Sequence, residues 1–130
     1  MIRLVGAALV ALHGLIHLIG FVVPWRIATV DGFPYRVTTL GGLADLGELG
    51  ARVVGLVWLA CAAGFIVAGI GIARRAPYAL PLTSVLAVVS SVVCVLGLPD
   101  AVAGIVVNVA ILSAVAWARH GVSRSLAVTS

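Results

Sequence analysis

The chain has 130 residues, of which 63% are hydrophobic and only 9% charged, with a formal net charge of +4 and a mean hydropathy of +1.29. These values lie far outside the soluble range and exclude a water-soluble enzyme or binding module. The positive balance is the signature of arginines placed beside membrane spans rather than of nucleic-acid binding.

Four segments satisfy the rule that about 20 apolar residues are needed to cross a hydrocarbon core about 30 Å thick. They are residues 4–23, 53–73, 78–98 and 101–118. Together they use most of the chain, so the expectation is one integral membrane domain over residues 1–130. Its fold class is all-α, a four-transmembrane-helix bundle immersed in a lipid bilayer.

The first segment follows Met1-Ile2-Arg3, which looks like the positive start of a secretory signal. That reading fails, because a signal's apolar core is only about 7 to 15 residues long and ends at a small-residue cleavage site. Here the run is longer and closes on Val22-Val23-Pro24-Trp25. Its middle carries HGLIHLIGF, residues 13–21, with His13 and His17 one helical turn apart on one face.

The connection over residues 24–52 is the long one. It holds Trp25 and Tyr35 as interface anchors, an Asp31-Gly32 turn, a Phe33-Pro34 break and a Gly41-Gly42 pair. Beyond the glycines, Leu43, Leu46, Leu49 and Val53 recur at helical spacing, with Asp45 and Glu48 on another face. The second helix therefore begins ahead of the membrane, or a short helix lies on its surface. Long loops on small rigid scaffolds often carry function. The later connections, around Arg74-Arg75-Ala76-Pro77 and around Pro99-Asp100, are short and predict antiparallel hairpins.

Alternating the spans puts Arg3, Arg74, Arg75, Arg119 and Arg124 on one side. Arg26, Arg36 and Arg52 fall on the other, with all four acids, Asp31, Asp45, Glu48 and Asp100. The arginine excess predicts both termini in the cytoplasm of a multi-pass protein of the inner (plasma) membrane, with the 24–52 loop outside. Cys61 and Cys94 occupy different spans without C-x-x-C spacing, which argues against thiol redox catalysis. No phosphate-binding G-x-x-x-x-G-K-[S/T] occurs, which argues against an ATP-driven pump. Small residues recur every fourth position at Gly47, Ala51 and Gly55, at Ala60, Gly64 and Ala68, and at Ala110, Ala114 and Ala118. Such stripes are packing surfaces, either within the bundle or toward a homo-oligomer or another membrane protein.

Polar residues within spans are costly unless they face protein or water. At about 1.5 Å per residue, His17 sits roughly 9 Å and His13 roughly 15 Å below the outer boundary, with Asn108 at about 12 Å. Trp58, Cys61, Ser91 and Cys94 share that half of the membrane. Asp100, Gly104 and Asn108 form one helical face, and Ser84, Ala87, Ser91 and Cys94 another. Convergence of these faces predicts a small polar pocket open toward Asp45 and Glu48, with His13, His17, Trp58, Ser91, Cys94, Asp100 and Asn108 as its ligand-binding residues.

Three chemistries suit such a pocket. His13 and His17 can ligate a transition metal, provided Asp100, Asp45, Glu48 or Cys94 completes the shell. One histidine can serve as an axial haem ligand, although two on one turn cannot clamp both haem faces. Alternatively the histidines act as proton-active groups beside a quinone, lipid or other small ligand. Against all three stands a purely structural role, with the polar side chains bonding across helices in a non-catalytic subunit, and beside them a proton-coupled transporter.

The run HGLIHLIGF resembles the opening of small, uncharacterised four-helix bacterial integral membrane proteins, in which an HGLIHLxGF-like start recurs. Gly55-Leu56-Val57-Trp58-Leu59 is similar to their G-L-L-W-L run, and Asp100-Ala101-Val102-Ala103-Gly104 through Asn108 to a D-A-x-x-G-x-x-x-N run. The resemblance implies that His13, His17, Trp58, Asp100, Gly104 and Asn108 belong to one pattern, and it implies no particular activity.

Overall fold

The computed structural model describes residues 1–128, with side chains through Arg119. Arg124, counted above for orientation, lies outside the described side chains. Helix α1 spans Ile2–Ile16 and, after a turn at His17 and Leu18, α2 continues over Ile19–Val22. A two-residue antiparallel pair follows, β1 (Thr38–Thr39) with β2 (Ala44–Asp45), in the register Thr38↔Asp45 and Thr39↔Ala44. Then come α3 (Gly47–Arg74), α4 (Ala79–Leu96) and α5 (Val102–Val128). Among the described residues four helical stretches are long and apolar enough to cross a membrane: Ile2–Val22, Gly47–Arg74, Ala79–Leu96 and Val102–Arg119. The molecule is a helical membrane bundle of four spans.

Boundaries differ from the sequence reading in ways local chemistry explains. The second span starts at Gly47 rather than Val53. Asp45 Oδ1 accepts from the Gly47 amide at 2.8 Å, Gly47 turns the chain at φ +64°, and Glu48 places negative charge in the first helical turn. The third span ends at Leu96 rather than 98, and the fourth runs on past 118. Between α3 and α4 the chain reverses through Arg75 at φ 59°, with the Ala76 amide bonded to Gly71 O at 2.9 Å. That closure satisfies the last helical carbonyls, and Pro77 follows it.

The bundle buries small and polar side chains and turns its large aliphatic ones outward. The largest fully buried side chains are Phe65, His17, Asn108, Thr83, Cys61, Cys94 and Ser90, alongside the alanines Ala62, Ala68 and Ala87, whereas leucines and valines of every span lie exposed. Such an inversion suits lipid, where backbones pack through small residues and polar groups must find partners within the protein. Helix α3 is the hub, touching α1, α2 and α4, while α5 packs on α4. Gly14 and Gly69 bring α1 and α3 together: a Cβ on Gly69 would stand 2.8 Å from Ala7 O. Leu86 of α4 fills the space at Gly64 and Ala68 is buried, so these two positions of the α3 stripe serve internal packing. Ala60, Ala110 and Ala114 point outward.

The two α1 glycines give opposite expectations. A Cβ on Gly14 would lie 2.8 Å from both Ala62 O and Phe65 Cβ, whereas nothing lies within 4 Å of one on Gly6. Gly14→Ala should destabilise the bundle by about 1–3 kcal/mol through overpacking. Gly6→Ala should be neutral or stabilise by up to about 1 kcal/mol through helix propensity. Reversible unfolding in mixed micelles checks the pair.

Candidate functional site: a histidine circuit beneath a roofed cavity

Between His17 and Phe21 the backbone bonds run three residues back: His17 N to Gly14 O, Leu18 N to Leu15 O, Gly20 N to His17 O and Phe21 N to Leu18 O, each at 3.1 Å. This tighter winding eclipses residues three apart and brings His17 and Gly20 onto one line. Gly20 is bare because a Cβ there would overlap the Trp58 indole of α3. Within HGLIHLIGF, therefore, His13, Gly14, His17 and Gly20 face the bundle, while Leu15 and Ile16 are 49% and 55% exposed.

The histidines close a hydrogen-bond circuit through α4 and α5. His17 Nδ1 lies 2.8 Å from the carbonyl oxygen of His13. A carbonyl only accepts, so this nitrogen carries a proton and donates it. A neutral ring then presents a bare Nε2, which accepts from Ser90 Oγ at 2.6 Å. Ser90 Oγ in turn accepts from Asn108 Nδ2 at 2.7 Å. Asn108 Oδ1 accepts from His13 Nε2 at 2.9 Å. Every donor meets an acceptor with both imidazoles neutral, His17 protonated on Nδ1 and His13 on Nε2. Aromatic edges hold the rings from the α3 side. Phe65 stands 5.0 Å from His13 and 5.3 Å from His17 between ring centroids, and Trp58 5.0 Å from His17.

Above this circuit lies a cavity of about 240 Å³. His13, His17, Trp58, Cys94 and Asp100 border it, and Phe33, Pro34 and Thr38 of the long connection roof it. The roof is fastened at several points. Gly41 N donates to Leu98 O at 2.8 Å, Leu46 N to Val37 O at 2.9 Å, and Trp25 Nε1 to Arg52 O at 3.1 Å. Arg36 Nε pairs with Asp100 at 3.4 Å. Arg26 stacks 4.6 Å over Tyr35 and bonds Glu48 at 2.6 Å. Tyr35 first, and then Glu48, hold its guanidinium above the ordinary arginine value.

The expected pocket residues divide into three groups. His13, His17, Trp58, Cys94 and Asp100 border the cavity, and Asn108 stands behind it as the partner of His13. Ser91 does not join them: it bonds Ala87 O of its own helix at 2.7 Å, and the serine in the circuit is Ser90. The α4 face that turns inward is Thr83, Ala87, Ser90 and Cys94, not Ser84, Ala87, Ser91 and Cys94. Asp45 and Glu48 do not border the cavity, being engaged with Gly47 and Arg26. Ser90, Phe65 and Arg36 were missed. For Ser90 the signal present was the heptad-like stripe Thr83, Ala87, Ser90, Cys94, as regular as the one preferred.

Among the described residues no three His, Cys, Asp or Glu side chains gather where an ion could be held. Both nitrogens of His17 and Nε2 of His13 are already bonded. Set against protein-family models, curated proteins and solved structures, the chain matches none.

The adjacent serines separate the two α4 registers. Ser90→Ala leaves His17 Nε2 and one Asn108 proton without partners in a buried site, and should cost about 1–3 kcal/mol. Ser91→Ala removes only an intrahelical bond and should stay within about 0.5 kcal/mol of the parent. Unfolding of both variants in the same micelles measures the difference.

Proposed function

We propose that this chain is a small-ligand-binding protein of the inner (plasma) membrane, with both termini on the cytoplasmic side and the 24–52 connection outside. The carrying observation is the cavity, about 240 Å³ in volume, bordered by His13 and His17 below and by the folded connection above. The excess of arginine at Arg3, Arg74, Arg75 and Arg119 supports the orientation. Apolar walls with a few convergent polar groups are the usual make-up of a small-molecule site. All of the lining comes from the loop-side half of the bundle, which favours a pocket over a path through the membrane. The histidines work here as neutral hydrogen-bonding groups that shape the floor. Membership of the HGLIHLxGF-type membrane proteins belongs to the same proposal, resting on the motif residues that meet in the site.

Native mass spectrometry of protein extracted gently from its own membrane tests this reading. The expected spectrum carries one small molecule per chain, absent from Val54→Phe, in which a larger side chain enters the cavity. Identical ligand-free masses for parent and variant would contradict it.

A further inference from the structure

His13 is deeply buried and borders the cavity. Its Nε2 is committed to Asn108, while its Nδ1 has no partner among the described residues. With Nε2 engaged, Nδ1 is the ring nitrogen of this cavity-lining side chain left to bond a ligand. The circuit fixes what this atom can do. Asn108 presents oxygen to His13 because its amide nitrogen is already donating to Ser90. His13 must therefore keep its proton on Nε2, and Nδ1 is an acceptor.

Resting on the ligand-binding reading above, we infer that the cavity takes a small, neutral, apolar molecule carrying a hydroxyl, which donates its hydrogen bond to His13 Nδ1. A carbonyl or ether at the same place would set lone pair against lone pair. An ammonium group is also a donor, but the one carboxylate at the cavity, Asp100, is already paired with Arg36, and the remaining walls are largely apolar. Bare charge in such surroundings is strongly disfavoured. The Trp58 indole and the Phe33-Pro34 pair offer flat surfaces to a ring. A substituted phenol combines the required donor, size and shape.

The test uses 4-propylphenol and its methyl ether, 4-propylanisole, titrated calorimetrically into the full chain in lipid nanodiscs. Val54→Phe supplies the blank for partitioning into lipid, and Leu46→Trp, from the roof, supplies it if that variant fails to assemble. His13→Gln retains an amide N–H near the position of Nε2 for Asn108 and removes the Nδ1 acceptor. The phenol should bind about five- to tenfold more tightly than the ether, and the preference should vanish in His13→Gln while ether binding persists. Equal affinities in the parent, both lost in the blank, would overturn the hydroxyl assignment and leave the pocket standing. Heats indistinguishable between parent and blank for both probes would overturn the pocket and the assignment together.

Discussion

A polar N–H or O–H inside a lipid-immersed bundle must find its acceptor within the protein itself, because no water is at hand to supply one. Four side chains meet that demand here by bonding one another, and in doing so they fix the rotation of the spans. The histidines fix α1, Ser90 fixes α4 and Asn108 fixes α5. The remaining span, α3, is held by shape: Phe65 and Trp58 press on the rings, and Gly14 lets α1 approach closely enough for them to do so. Leucine and valine on the lipid side could not set these rotations, since lipid tails are as apolar as they are.

The cavity follows from where the helices stop. At the loop end α2 finishes at Val22, α4 at Leu96, and α5 starts at Val102, whereas α3 continues out to Gly47. One side of α3 is left uncovered there, and the connection folds down over it. Its roof is held mainly by backbone bonds and ion pairs at its edges, with Arg36 reaching across to Asp100. The polar floor and the apolar walls thus have separate origins, one in the span interiors and one in the unequal helix lengths.

Much of this was legible in the sequence, for physical reasons specific to each part. The four spans could be read because burying backbone in hydrocarbon requires long apolar runs. His13, His17 and Asn108 could be matched by depth, since rise along a helix is fixed. The rotation of α4 could not. A serine in a membrane helix can satisfy itself on the carbonyl four residues back, as Ser84, Ser91 and Ser113 all do, so its presence does not say which way it faces. The roof was equally hidden, because Gly41 N and Leu98 O are far apart in the chain and no side chain announces their meeting. Asp45 and Glu48 suggested a pocket mouth by charge alone, whereas one bonds the start of α3 and the other pairs with Arg26.

The directed circuit is the central claim, and its protons can be observed. Nitrogen-15 spectra of labelled imidazoles, recorded in lipid at neutral pH in a His120→Gln background, resolve the two remaining rings. The account predicts two neutral histidines of opposite tautomer, His17 with its proton on Nδ1 and His13 with its proton on Nε2. A doubly protonated ring, two rings of the same tautomer, or rapid exchange between tautomers would contradict it.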